Sequence, residues 1–161
     1  MTDTQTALLA TIRGLGQHHI NFQAALAQQI QTDPRLTPAD IERLTKRKFN
    51  HSQLQILSLV NQTGERAYTQ LTELVPFSQG MLSRYVKQLL EAGMLTKVAL
   101  PDNKKAYHLA ITSLGQVLAE QHDQLHEREN HAYQQVLAQF SDQQINDAIT
   151  ILKAIESVRT N

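Results

Sequence analysis

Residues 66–93, with the sequence RAYTQLTELVPFSQGMLSRYVKQLLEAG, decide the fold of this chain. Pro76 lacks a backbone N–H and disfavours the helical conformation in the residue before it, so a first short helix is predicted to end there. Ser78 stands where a second helix needs an N-terminal cap, and that helix is predicted to run to Glu91. Two short helices joined by so short a loop are typical of a helix-turn-helix.

The second helix has two different faces when its residues are placed at 3.6 per turn. The apolar face carries Leu82, Val86 and Leu89. The opposite face has small, hydroxyl and cationic side chains, namely Gly80, Ser83, Arg84 and Lys87. That composition suits a helix that enters the major groove of DNA, which is about 12 Å wide. A face that is merely solvated is also polar, so on the helix alone this alternative stays open.

A hairpin with a basic tip is predicted directly after this helix. Gly93 is a typical residue for the helix end, and residues 94–100 and 107–112 are the two predicted strands. Between them, residues 101–106 form a polar turn with two adjacent lysines, which favours contact with phosphate groups. A helix-turn-helix followed by such a hairpin indicates a winged helix-turn-helix with a two-stranded β wing.

These segments resemble the DNA-binding core of the multiple antibiotic resistance regulator (MarR) family. The matching residues are Leu71, Leu74, Ser83, Arg84, Val86, Leu89, Gly93, Met94, Leu95 and the exit from the wing, Leu109 to Gly115. The resemblance covers nearly the whole chain, because the flanking helices fit as well. It implies a sequence-specific transcriptional regulator, a repressor released by a ligand, that binds a palindromic operator in double-stranded DNA as a homodimer.

The wing tip departs from the family pattern, which usually has an Asp and, two residues later, an Arg. This chain offers Asn103 and Lys105 in one register, or Asp102 and Lys104 in another. Because lysine lacks the planar fork of arginine, phosphate contact by the wing is favoured over insertion into the minor groove.

The predicted DNA contacts come from the second helix and the wing. The start of the helix is predicted to contact phosphates and base edges, and its polar face is predicted to line the groove. Arg84 is predicted to bind a guanine base or the DNA backbone. The full set is Ser78, Gln79, Gly80, Ser83, Arg84, Lys87, Asn103, Lys104 and Lys105.

Amphipathic helices are predicted on both sides of this lobe. They cover residues 5–31, residues 37–46 with Thr37 as cap and Pro38 in the first turn, residues 51–64, residues 112–140, and the segment after Ser141 and Asp142. Long amphipathic helices at both ends of a small lobe are expected to bury their apolar faces against each other and against a second copy of the chain.

The predicted fold class is therefore mostly α: a winged helix-turn-helix lobe with a β wing, plus long N- and C-terminal helices that form a dimerisation bundle. The predicted domains are 1–48 for dimerisation, 49–112 for DNA binding and 113–161 for dimerisation.

The charge distribution agrees with one DNA-facing lobe, although the net charge of the 161 residues is zero. Residues 43–105 contain ten Lys and Arg against four Asp and Glu, whereas the rest of the chain contains five against eleven. A basic middle with acidic ends is typical of a DNA-binding lobe on a scaffold that faces away from DNA. The basic run 43–48 is interpreted as a solvated face, with contact to the DNA backbone as the alternative.

Two of the seven histidines, His122 and His126, stand four residues apart and share one helix face. This run also resembles the zinc-responsive members of the MarR family, and by that resemblance His19, His122 and His126 are zinc ligands. The resemblance places a further zinc ligand in the helix after the basic run, at the position of Gln55, which is a poor zinc ligand. His51 can replace it only if the fold brings the His51 side chain close to the other ligands. The alternative is that these are surface histidines.

The MarR family usually binds small aromatic or phenolic effectors between the dimerisation helices and the DNA-binding lobe. By approximate position, His19, Phe22, His51 and Tyr85 line such an effector pocket. Core or surface packing is the alternative for each of them.

Several other functions are disfavoured by what the sequence lacks. It has no cysteine, no glycine-rich phosphate loop and no serine elbow, so an enzyme is not expected. No export signal or membrane span is indicated, and a cytoplasmic protein is expected. The remaining alternative is a helical dimer that uses its winged lobe to bind another protein.

Overall fold

The computed structural model describes the backbone of residues 2–15, 18–100 and 103–159. It describes the side chains of the same residues except 9, 13–15, 18–21, 103–105 and 159. The helices are α1 (Asp3–Leu15), α2 (His18–Thr32), α3 (Pro38–Lys46), α4 (His51–Asn61), α5 (Tyr68–Leu74), α6 (Gln79–Glu91), α7 (Ser113–Leu137) and α8 (Asp142–Arg159). The strands are β1 (Glu65–Ala67), β2 (Leu95–Leu100) and β3 (Asn103–Ile111).

The three strands form an antiparallel sheet in the order β1-β3-β2. β2 and β3 make the predicted hairpin, with Leu95 opposite Ile111 and Leu100 opposite Asn103. β1 pairs with the C-terminal part of β3, and Glu65 lies opposite Ala110. The winged helix-turn-helix prediction is confirmed, with α5 and α6 as the two helices and β2 and β3 as the wing.

Two details of the prediction were wrong. The wing sheet has a third strand, β1, which is too short for its three residues to show an alternating pattern. β3 begins at Asn103 rather than at residue 107, and Asn103 pairs with Leu100 of β2. The helix predicted over residues 5–31 is present as α1 and α2, and residues 16 and 17 between them lie outside the described part of the chain.

Side-chain caps start α3 and α4. Thr37 accepts from the amide of Asp40 at 3.2 Å, and the Asp40 carboxylate accepts from the amide of Thr37 at 3.1 Å. Asn50 and Gln53 make the same reciprocal pair at the start of α4, at 2.9 Å in both directions. Each capping box satisfies two backbone donors that the helix itself leaves without acceptors.

The core of the lobe is formed where α4, α5, α6 and the sheet meet. Its fully buried side chains are almost all aliphatic: Leu54, Ile56, Leu57, Val60, Leu71, Leu82, Val86, Leu89, Met94, Leu95, Leu109 and Leu118. Burial of this area stabilises the lobe at roughly 25 cal/mol per Å² of apolar surface. The core therefore fixes how α6 is rotated about its own axis.

Close backbone contacts join the end of α6 to the start of α7. Gly93 has a φ of 69°, which lets the amide of Met94 turn back and donate to the carbonyl of Leu89 at 2.9 Å. The Thr112 hydroxyl donates to the carbonyl of Gly93 at 2.8 Å and accepts from the amide of Gly115 at 3.0 Å. Gly115 comes so close that a Cβ added there would lie 2.1 Å from the carbonyl oxygen of Met94.

An ionic network ties the segment between α2 and α3 to α7. Asp33, only 6% exposed, accepts from Arg35 Nε at 3.0 Å and Nη2 at 2.7 Å, and also from Gln121 on α7. Arg35 donates in addition to Glu120 on α7. The hydrogen bonds from Arg35 hold the pKa of Asp33 well below its usual range, against the opposing effect of burial.

Residues Met1–Leu125 and His126–Asn161 form two separate compact units. In the second unit, Ser141 caps α8: its hydroxyl accepts from the amide of Gln144 at 3.3 Å, and its own amide donates to Gln144 Oε1 at 2.9 Å. This unit exposes large apolar side chains, namely Tyr133, Val136, Leu137, Phe140, Ile149, Ile151, Leu152 and Val158. None of the described helices is long and apolar enough to span a membrane.

Substitution of Gly115 by alanine is expected to destabilise the protein by about 2 kcal/mol or more, because the new methyl group meets the carbonyl of Met94 and one of the two backbones must shift. Urea unfolding followed by circular dichroism measures the change. Gly80→Ala in α6 is the matched control. A Cβ there meets nothing within 4 Å, so this variant is expected to be as stable as the parent or up to about 1 kcal/mol more stable. Equal stability of the Gly115→Ala protein and the parent would contradict the close approach.

Acid is expected to remove the stabilisation that Asp33 provides. A carboxyl whose folded-state pKa lies below its unfolded value of about 4 stabilises the fold above that value, and this contribution is lost as the pH falls through the folded-state pKa. Asp33→Asn is therefore expected to lower the free energy of unfolding by roughly 1 kcal/mol at pH 7 and by less below pH 4. Unfolding free energies of both proteins between pH 7 and pH 3 test this, and a constant difference across that range contradicts it.

Candidate nucleic-acid interface and histidine cluster

The helix α6 presents one buried and one exposed face. Leu82, Tyr85, Val86 and Leu89 are buried against the lobe. The side chains that the sequence assigns to DNA are all exposed: Gln79, Gly80, Ser83, Arg84 and Lys87. The structure therefore brings these predicted contact residues together on one accessible face.

The start of α6 is arranged as a donor-rich helix end. Ser78 is its cap, and the Ser78 hydroxyl accepts from the amide of Met81 at 3.4 Å. The amides of the first turn point out of the helix end, and the helix dipole adds partial positive charge there. This end can hold a phosphate group next to the cationic face.

The two cations of this face differ in their surroundings. The guanidinium carbon of Arg84 lies 5.4 Å from the centre of the Tyr85 ring, within the range of a cation–π contact. Lys87 lies 4.0 Å from Glu91, one turn further along α6. Among the described residues Arg84 has no ion pair, so its charge and its planar donor group are available to an external acceptor.

Aromatic contacts attach the wing to the helix-turn-helix. Tyr107 on β3 stacks at 5.2 Å on Tyr68, the first residue of α5, and the ammonium of Lys97 on β2 lies 4.5 Å from the centre of the Tyr107 ring. Burial raises the pKa of the Tyr107 hydroxyl. The predicted wing contacts Asn103, Lys104 and Lys105 are at the start of β3, and their side chains lie outside the described residues.

The basic run of α3 faces the C-terminal end of α6. Arg43 donates to the carbonyl of Ala92, Arg47 lies 3.9 Å from Glu91, and Lys46 pairs with Glu42 at 2.6 Å. Cations at a helix C-terminus are favoured by its dipole. Arg43 therefore has a structural role that the sequence did not indicate, because the contact joins residues far apart in the chain.

Two histidines lie together in the first unit. The ring centres of His51 and His122 are 5.4 Å apart. His122 and His126 are one turn apart on the continuous helix α7, and His51 is the first residue of α4. The fold therefore places His51 beside His122, which is the condition for His51 to replace Gln55 as a ligand. The side chain of His19 lies outside the described residues.

The surroundings of His122 are defined on several sides. This residue is only 4% exposed, with Phe22 at 5.6 Å and His51 at 5.4 Å between ring centres. Its Nδ1 lies 3.1 Å from both Ser58 Oγ and Asp123 Oδ1, and the Ser58 hydroxyl donates to Asp123 at 2.6 Å. Sequence reasoning missed Ser58 and Asp123, since neither forms a recognisable spacing with the histidines.

The four predicted effector-pocket residues fall in two places. Phe22 and His51 lie 6.5 Å apart by ring centres, next to His122, whereas Tyr85 packs edge-on against Phe77 at 5.6 Å. His19 again falls outside the described side chains.

A cavity of about 540 Å³ lies elsewhere in the first unit, between α2 and the segment from α3 to the start of α4. Its lining combines apolar side chains (Leu26, Ile30, Leu44, Phe49 and Leu118) with Arg47, Lys48 and Asn50. Among the predicted residues whose side chains are described, Phe22, His51 and Tyr85 do not line it.

Comparison with known proteins agrees with this architecture. Residues 49–107 match the model of the MarR family. YvnA of Bacillus subtilis (strain 168), named an uncharacterized HTH-type transcriptional regulator, is 30% identical over 106 residues, which are 66% of this chain and 66% of YvnA. The apo form of a doubly substituted Lactococcus lactis ZitR has a TM-score of 0.68 at 14% identity, covering 98% of both chains. A substituted ZitR solved in complex with DNA has a TM-score of 0.57 at 19% identity, covering 68% of this chain and 75% of that one.

The sequence match and the structural likenesses lead to the same conclusion as the winged lobe itself. The sequence matches confirm the resemblance and the expectation that the chain is not an enzyme, and the structural likeness confirms the fold. The chain belongs to the MarR family of winged helix-turn-helix transcriptional regulators.

Proposed function

We propose that this protein binds a palindromic operator in double-stranded DNA as a homodimer and is a repressor released by a ligand. The exposed polar and cationic face of α6 carries the proposal, because the buried opposite face leaves it no other orientation. The DNA complex of ZitR, a protein with the same fold, supports it. This function places the protein in the cytoplasm, with the DNA.

The residues of the interface have different tasks. Ser78, Gln79 and the amides at the start of α6 meet phosphates, which sets the position of the helix on the duplex. Ser83, Arg84 and Lys87 line the major groove beside Gly80, and Arg84 can donate two hydrogen bonds to one guanine. Asn103, Lys104 and Lys105 anchor the wing on the DNA backbone.

A second copy of the chain is the partner that the exposed apolar side chains of residues 126–161 fit. Large apolar patches are uncommon on monomers and mark sites of association. The self-complementary interface of a two-fold dimer covers them in both copies. Such a dimer presents two α6 helices to half-sites about 34 Å apart, which is why the operator is palindromic.

The cavity between α2 and α3 supports release by a small organic effector. Its volume of about 540 Å³ lies in the range of roughly 300–1,000 Å³ that small-molecule sites occupy. The aliphatic and aromatic lining suits an apolar body, and Arg47 and Lys48 suit an anionic group. In one conformation of the dimer the spacing of the two α6 helices matches the half-sites, and in another it does not. A ligand that binds the second conformation more tightly lowers the affinity for DNA.

A second candidate, a zinc-responsive regulator of the same fold, is favoured by one observation, the contact between His51 and His122, which stands one helical turn before His126 on α7. Three imidazole nitrogens are a ligand set that zinc accepts.

The helix α4 can carry the effect of the ion to the DNA-binding face. It holds His51 at its first residue, and its Gln53 side chain donates to Gln88 on α6 at 2.8 Å. A zinc ion that joins His51 to α7 therefore binds a helix, α4, that is in direct contact with α6.

Arg84→Ala is expected to weaken binding to the operator by about 1–3 kcal/mol, roughly five- to a hundredfold, and to weaken binding to random DNA much less, because a base contact is lost along with a charge.

Lys105→Ala is expected to weaken binding to the operator and to random DNA alike, and to reduce the slope of the salt dependence by about one unit. Fluorescence anisotropy with DNA from the gene's own promoter and with random duplex, at two salt concentrations, measures these effects.

Lys153→Ala on α8 is the control for the Arg84 experiment, since it removes one exposed cation far from α6 in sequence and should leave both affinities unchanged. Equal losses on operator and random DNA for Arg84→Ala would argue against base reading. A parent protein that binds no duplex even at low salt, or a complex with one chain per operator, would refute the proposed function.

His122→Ala is expected to lower the affinity for zinc about a hundredfold or more, since a three-nitrogen site loses a buried ligand. Zinc is further expected to change the operator affinity of the parent protein at least about fivefold and that of the variant not at all. Competition with a chromophoric chelator and anisotropy with and without zinc provide the two measurements. His131→Ala is the control, because His131 is on the same helix but outside the predicted ligand set. A zinc effect on DNA binding that survives His122→Ala would rule out the second candidate.

A further inference from the structure

Lys97 lies on the helix-facing side of the wing, on an edge strand. The strand order β1-β3-β2 puts β2 at one edge of the sheet. Lys97 stands opposite Leu109 of β3, and Ala99, two residues further along β2, stands opposite Tyr107. Paired residues, and residues two apart in a strand, share one face of a sheet. Because Leu109 is fully buried, the face that carries Lys97 and Tyr107 is the one that packs on the helices.

An aromatic pair holds the Lys97 side chain in place. Its Nζ atom lies 4.5 Å from the centre of the Tyr107 ring, which is within the range of a cation–π contact. The Tyr107 ring in turn lies 5.2 Å, between ring centres, from Tyr68, the first residue of α5. This lysine of the wing is therefore connected through two rings to the first helix of the helix-turn-helix.

The charge of Lys97 remains available to an external anion. The residue is exposed, although its ammonium lies over a ring. Among the described residues no ion pair includes it, whereas Lys46 pairs with Glu42 and Lys87 approaches Glu91. A ring covers one side of an ammonium group, and the three N–H donors of the group can also reach an acceptor on the other side. Lys97 can therefore bind an anion without first breaking an ion pair.

The DNA backbone supplies such an anion at the junction of the wing and α5. A recognition helix in the major groove and a wing beside it lie on opposite sides of one phosphate strand, and the first helix of the motif crosses the backbone. On a duplex bound in this way, that strand passes next to the junction that Tyr68 and Tyr107 form. Lys97 is the cation held at this junction.

We propose that Lys97 is a further DNA contact, which binds a backbone phosphate, and that Tyr107 and Tyr68 are positioning residues that hold its ammonium at the junction. This inference rests on the proposed DNA-binding function and adds a contact apart from α6 and the wing tip. Because a phosphate contact carries no sequence information, Lys97 contributes equally to the binding of operator and random duplex.

The two rings matter because a freely moving lysine is a poor anchor. A long side chain loses much rotamer freedom when it is fixed, and this loss opposes binding unless the side chain is already oriented. A cation–π contact at an exposed site favours the oriented side chain by roughly two- to fivefold. The Tyr107 ring provides this contact without its hydroxyl, so phenylalanine can replace it.

Lys97→Ala is expected to weaken binding to operator and random duplex alike, by roughly three- to tenfold for each bound chain at about 0.1 M salt. The slope of log affinity against log salt is expected to fall by about one unit for each bound chain. Fluorescence anisotropy of the full chain on both duplexes, between about 50 and 200 mM salt, measures affinity and slope. Lys153→Ala is the matched control, since it removes an exposed lysine of α8 and is expected to leave both quantities unchanged.

Two substitutions of Tyr107 separate the orientation of Lys97 from packing of the wing. Tyr107→Leu removes the ring and is expected to weaken binding roughly two- to fivefold, whereas Tyr107→Phe keeps the ring and is expected to bind as the parent does. In the Lys97→Ala background, Tyr107→Leu is expected to have no further effect, because no ammonium is left to orient. Urea unfolding checks each variant, and the Lys97→Ala result stands by itself if Tyr107→Leu fails to fold.

The outcomes distinguish this inference from the function on which it rests. A parent protein that binds no duplex even at low salt overturns both. A parent that binds DNA while Lys97→Ala changes neither affinity nor salt slope overturns the phosphate contact alone. A loss confined to the operator would show base reading and would overturn it as well. The positioning role is overturned if Tyr107→Phe binds as weakly as Tyr107→Leu, or if Tyr107→Leu weakens binding equally in both backgrounds.

Discussion

Burial of one face of α6 is the constraint on which the rest of the structure depends. Leu82, Val86 and Leu89 are at most 2% exposed, and Tyr85 is buried beside them. Rotation of the helix by a quarter turn would bring these side chains into water at a cost of several kcal/mol, on the order of 2 kcal/mol for each. The polar and cationic face is therefore held outward with little freedom, which is the preorganisation that reading a DNA groove requires.

The two ends of α6 are held by different means. At its start, the Ser78 cap leaves amides directed outward, where a phosphate can bind. At its end, Gly93 turns the chain back and Arg43 donates to the carbonyl of Ala92, so the negative end of the dipole is covered by α3. The Thr112 hydroxyl and Gly115 then hold this end against the start of α7.

The helix α4 connects the histidine cluster to the DNA-binding face. His51 and Ser58 turn toward His122 on α7, and Gln53 turns toward Gln88 on α6. Buried aliphatic residues of the same helix, among them Leu54 and Leu57, belong to the core that orients α6. A ligand that displaces α4 has to displace part of that core as well. Because the core is closely packed, α4 and the elements packed on it are expected to move as whole units.

Local patterns in the sequence determined most of the secondary structure and the outward face of α6. The Thr37 cap, the stop before Pro76, the Gly93 turn and the apolar spacing of α6 act within a few residues, so they can be recognised without the fold. The tertiary structure alone decided that His51 and Ser58 meet His122, that Arg43 covers the end of α6 and that β1 joins the wing. These contacts depend on how helices pack and rotate against one another, which short-range spacing does not encode.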